Sequence, residues 1–185
     1  MALVLNGSGS ITGLSAGGLP DGSVTADDIA STLDLSGKTV TLPAGTGGKV
    51  LQVVGATYST ETLITTTSYV DSGLTATITP SSASNKILVS VGLNGFYRNG
   101  THVGRMDVIL ANGSDAQLLM LDNEVGDNST TDGSGNNVMC SYLHSPSTTS
   151  AYTYKIRLKM NTASAGMYFC VSSSTSTITL MEIAA

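Results

Sequence analysis

From residue 49 to residue 185 the chain alternates apolar and polar side chains with a period of two, and almost nowhere with the 3.6-residue period of a helix. The clearest run is YTYKIRLKM, where Tyr154, Ile156, Leu158 and Met160 share one side and Thr153, Lys155, Arg157 and Lys159 the other. Successive side chains of a strand point to opposite faces, so one face is expected in a core and the other against water or a neighbour. Related runs are KVLQVVGATYS, LITTTSYV, TATIT, NKILVSVGLNGFYR, HVGRMDVILAN, AQLLML, NVMCSYLH, GMYFCVS and STITLMEIA. Between them lie PSSASN, NGSD, DGSGNN, SPSTTS and NTASAG, built of the residues that turns select. About eight to ten short strands in this arrangement predict an all-β fold, an antiparallel sandwich or barrel over residues 49–185.

Residues 1–48 read differently. Short apolar bursts (LVL, SITGL) are separated by Gly, Ser and Asp, which buries little. Thr25 is placed to cap a helical turn in ADDIASTL, with Asp27 and Asp28 in its first turn. In GKTVTLPAG, Thr39, Val40, Thr41 and Leu42 alternate as a strand that Pro43 ends. This segment is expected to be an extended N-terminal arm that needs a partner surface, with ALVL a candidate for adding a strand to an open sheet edge.

Charge narrows the function. The chain has 8 basic against 13 acidic residues, a net charge of -5, and so no positive field to gather nucleic acid. No run reaches the roughly 20 apolar residues of a membrane span, and MALVLNGSGS lacks the basic flank and long apolar core of a signal peptide. Neither nucleic acid nor membrane is expected as a partner. Only 11% of residues are charged while 41% are hydrophobic, a balance that suits assembled β-rich surfaces. Cys140 and Cys170 lack the paired spacing of a zinc framework and read as small buried hydrophobes, a disulfide between neighbouring strands being the alternative.

Several motifs resemble catalytic ones and fail on context. PAGTGGKVLQVV ends a glycine cluster in Lys49, but Pro43 stands where a phosphate loop needs its first glycine, Val50 replaces Ser or Thr, and a strand follows in place of a helix. GLSAG at residues 13–17 matches a nucleophile elbow, yet no alternating strand and helix pattern follows it. His102 and His144 are the only imidazoles, each remote from such an elbow. Asp122, Glu124, Asp127 and Asp132 could offer oxygen ligands to calcium from a long loop at 122–137, but their spacing departs from the calcium-loop rule and a solvated loop is the simpler reading. Acidic residues concentrate in the leader and this loop, with Asp107 and Glu182 the clearest ones in strands, which gives no carboxylate pair for glycoside hydrolysis. No enzymatic activity, cofactor or metal is expected. Tyr97, Arg98 and His102 cluster around a hairpin tip at Asn99 and Gly100 and are the candidate receptor contacts.

GLPDGSVTADDIASTLDLSGKTVTLPAGTGGKVLQVV followed by TTSYVDSGLTATITPSSASNKILVSV resembles the attachment leader and head start of bacteriophage fibre-type virion proteins, especially those of phages infecting cyanobacteria and other aquatic bacteria. The similarity covers roughly residues 18–100, and the strand series ending in STITLMEIA is similar to trimeric jelly-roll heads of the C1q and tumour-necrosis-factor type. The resemblance implies an antiparallel jelly-roll-like β-sandwich head over residues 49–185 and a homotrimer in the virion, joined to a capsid or tail protein through its arm, with a head that can meet a host-surface ligand. A capsid decoration or head-fibre protein is the alternative. It implies no catalytic residue.

Overall fold

The described residues of the computed structural model are 4–5, 11–12, 49–98, 104–126, 133–134, 137–163 and 165–185. The chain divides into two units, Met1–Pro43 and Ala44–Ala185. In the first, β1 (Val4–Leu5) pairs antiparallel with β2 (Ile11–Thr12), Val4 opposite Thr12 and Leu5 opposite Ile11. The helical turn expected after Thr25 and the strand expected around Val40 lie outside the described residues.

The second unit is the expected antiparallel sandwich. Sheet I holds, in spatial order, β11 (Val138–His144), β6 (Lys86–Leu93), β14 (Ser176–Ile183) and β3 (Val50–Tyr58). Sheet II holds β5 (Val70–Ile78), β12 (Tyr152–Met160), β8 (Met106–Asn112) and β9 (Gln117–Val125). In these two sheets only β8 and β9 are neighbours both in sequence and in space. The other pairings are reached by crossing between sheets, which is jelly-roll-like connectivity. A smaller end sheet takes β10 (Gly133–Ser134), β7 (Tyr97–Arg98), β13 (Met167–Phe169) and β4 (Thr62–Ile64). No α-helix occurs among the described residues, and Val171–Ser173 form a single 3-10 turn.

Alternation becomes burial as the period requires. In β12, Tyr154, Ile156, Leu158 and Met160 are all fully buried. They meet Ile87, Val89 and Leu93 of β6 and Ile178 and Leu180 of β14 in one core, with apolar burial supplying the main drive for the two sheets to close. Phe96 and Phe169, with ring centroids 5.3 Å apart, and Tyr58 stacked on Phe169 at 6.1 Å extend this core beneath the end sheet.

Five expectations change. LITTTSYV is not one strand, since β4 stops at Ile64 and β5 begins at Val70. AQLLML continues to Val125, because β9 stays paired to β8 with Asp122 opposite Val108 and Val125 opposite Met106, and Val125 is buried. The loop expected at 122–137 is therefore strand at its start, and Gly133 and Ser134 pair with Arg98 and Tyr97. More carboxylates lie in strands than Asp107 and Glu182, namely Asp71, Asp122 and Glu124. Both cysteines are free, and while Cys170 is buried, Cys140 is only half-buried because β11 is an edge strand.

Candidate functional site

The end sheet is positioned by chain connectivity. β4 follows β3 and β7 follows β6, while β10 precedes β11 and β13 precedes β14, so all four of its strands branch from the same end of sheet I. Its inner side is buried through Ile64, Arg98, Met167 and Phe169. Its outer side carries a cross-strand row, Leu63 opposite Tyr168 and Tyr168 opposite Tyr97. The two tyrosine rings lie 6.4 Å apart at 39°. Beside them is a cleft of about 280 Å³ lined by Glu61, Tyr97, Tyr168, Val171 and Ser172.

The rim of this cleft is an unusual backbone. Cys170, Ser172 and Ser173 all have positive φ, 58°, 53° and 60°, a region that costs side-chain-bearing residues on the order of 1 kcal/mol or more each. Three contacts hold the turn: Val171 N donates to Gly95 O (3.1 Å), Ser174 N donates to Val171 O (2.9 Å), and the Cys170 thiol donates to Tyr58 O (3.4 Å). Gly95, at φ 75°, lets the chain pass, since a Cβ there would stand 2.6 Å from Ser174 Cβ.

Of the three expected contact residues, Tyr97 lines this cleft, Arg98 is buried on the inner side of the end sheet, and His102 lies outside the described residues, as does the Asn99-Gly100 tip. Arg98 is thus corrected from a surface contact to a core residue, because strand alternation turns it away from Tyr97. Tyr168 and Glu61 were missed; only the pairing of β13 with β7 and β4 brings them to Tyr97, and no local pattern announces that pairing.

The outer faces of the two main sheets differ in chemistry. On sheet II, Asp71 binds Lys155 (3.1 Å) and Arg157 (3.0 Å), Asp115 binds both cations as well, and Lys159 binds Asp107 (3.3 Å). Three cations meet three carboxylates in a neutral, solvated ladder. On sheet I the register sets three rows across the four strands: Met139, Gly92, Thr177, Thr57; then Ser141, Ser90, Thr179, Gly55; then Leu143, Leu88, Met181, Val53. None of these residues is charged. Met139 is 82% exposed, Val53 59% and Leu143 51%. An apolar ridge therefore stands beside a trough of small hydroxyl-bearing residues, where a depression of about 350 Å³ opens between Met139, Ser141, Ser90 and Thr179. Outward positions of ILVSVGL, STITLMEIA and NVMCSYLH carry this signal in sequence, as alternate residues without charge, and the outward Lys86 at the start of β6 lies beyond the three rows.

The remaining candidates serve the structure. His144 Nδ1 lies 2.8 Å from the hydroxyl of buried Tyr154, inside a group of rings that includes Tyr142 and Tyr152, and burial holds its pKa below 6.5. Asp122 Oδ1 accepts from Glu124 N, and Glu124 pairs with Arg105, while Asp127 and Asp132 lie outside the described residues. Glu182 is wholly buried at the end of β14. No protein-family model matches this chain, and no curated protein matches it.

Proposed function

We propose that this chain is a subunit of a short homotrimeric virion fibre or spike, carried on its particle by residues 1–48 and displaying the sandwich as a head that meets a host surface. The observation that carries this reading is the set of three uncharged rows on the outer face of sheet I, with Met139, Val53 and Leu143 exposed in them. A face of this kind favours burial against a partner, and contiguous exposed apolar surface marks interaction sites. The partner that fits is a second copy, because ridge and trough lie side by side on one face. Ridge enters trough between copies, and where each subunit offers its ridge to one neighbour and its trough to another the contact is head-to-tail and closes as a ring when the rotation between copies allows. The similarity of the strand series to trimeric jelly-roll heads of the C1q and tumour-necrosis-factor type supports the number three, and the ion-paired face of sheet II suits the outside of such a ring.

Quantitative mass spectrometry of particles bearing the protein tests the reading. Multiples of three at low copy number are expected. A count following the shell lattice would assign capsid decoration, and absence from particles would overturn the proposal.

A further inference from the structure

We infer that the cleft of the end sheet binds a neutral sugar ring. The row of Leu63, Tyr168 and Tyr97 gives one apolar strip on the outer side of the end sheet, and the C–H face of a pyranose packs on such aromatic and aliphatic surface while its hydroxyls look for partners. Those partners are at hand: the Glu61 carboxylate accepts, the Tyr168 phenol and the Ser172 hydroxyl donate or accept, and all three residues line the cleft. A volume of about 280 Å³, at the small end of ligand sites, suits a single ring of a longer glycan.

Charge selects the class. Glu61 is the one ionised side chain among the described lining residues, and its charge repels uronic acids, sialic acids and phosphorylated sugars. A quaternary ammonium ion is the rival that a carboxylate and aromatic rings could hold, but such a cage sets rings across the cation from each other. Here Tyr97 and Tyr168 are lateral neighbours on adjacent strands and leave no opposing wall of rings.

Place agrees with chemistry. The chain enters the second unit's sandwich at Val50, where Ala184 N also donates to Lys49 O (3.0 Å), and the end sheet branches from the other end of β3, about 26 Å away at the rise of a strand. The cleft is therefore at the end remote from chain entry, where a displayed head meets its surroundings. Its biological setting rests on the proposed display, but binding belongs to the single chain.

Saturation-transfer NMR of the full chain with glucose, galactose, mannose and N-acetylglucosamine, and separately with choline, tests the inference. Transfer to ring protons of at least one of these sugars is expected, with an affinity of about 1 mM. Tyr168→Ala should weaken it about tenfold and Glu61→Gln about threefold, the latter altering an exposed side chain that the fold does not need. Silence of all four sugars, equal transfer in both variants, or binding of choline in their place would overturn it. A trimer that binds no sugar sinks this inference alone, and a monomer that binds one sinks only the trimer.

Discussion

At the scale of single residues, Glu182 shows how a buried carboxylate stays ionised. Asn85 Nδ2 (2.6 Å) and the Ser81 amide and hydroxyl (2.7 Å each) donate to one oxygen, and Gln52 Nε2 (2.6 Å) donates to the other. Burial pushes its pKa up, but the bonds from Asn85, Gln52 and Ser81 outweigh this and hold it down at about 2. The folded value is below the unfolded one, so Glu182 stabilises fully above about pH 4.5 and its contribution is lost as the pH falls toward 2. His144 acts earlier in an acid titration. Its folded pKa also lies below the unfolded value of 6.5, because burial disfavours the imidazolium, so stability declines as the pH drops through that value. Urea unfolding against pH is expected to show both declines. Glu182→Gln should remove the lower one and cost about 2 kcal/mol at pH 7, since the donors lose a charged acceptor; His144→Gln should remove the upper one. An unchanged profile in either variant would contradict the assignment.

At the scale of elements, legibility in the sequence followed strand length. β12, with nine residues, carries enough alternation to mark its faces, and each of its expected inward residues is buried. β7 and β10 have two residues each and β4 and β13 three, too few for a period to appear, so the end sheet was invisible and Arg98 was put on the wrong side. Of the cleft, Tyr97 was legible from its turn-proximal setting, whereas Tyr168 and Glu61 arrive through long-range pairing. Apart from Lys86, the outward residues of β6, β11 and β14 were readable as uncharged, but only the register showed that Leu143, Leu88, Met181 and Val53 form one row. Gly73, in β5 at φ 92°, is another position set by long-range packing, for a Cβ there would overlap the Tyr58 ring. Gly73→Ala is expected to destabilise by about 2 kcal/mol in chemical denaturation. A loss below about 0.5 kcal/mol would show that Tyr58 can move aside at little cost.

At the scale of the whole molecule, the two outer faces divide the labour. On sheet II the three cations of β12 are matched by Asp71, Asp115 and Asp107, pairs that keep a surface soluble without inviting a specific partner. Sheet I carries no charge in its three rows, and its ridge is the surface that a neighbouring copy would cover. A charge placed in that ridge should separate subunits while leaving each one folded, because the site is solvated in the lone chain and desolvated in the assembly. Leu143→Lys is therefore expected to dissociate the oligomer at micromolar concentration, with the same far-ultraviolet circular dichroism as the parent.

Sedimentation velocity of the full-length chain at micromolar concentration is the direct test of self-association through sheet I. The expected result is one boundary at three times the 18.8 kDa chain mass, reduced to the single-chain mass by Leu143→Lys. A parent chain that sediments as a stable monomer would contradict it.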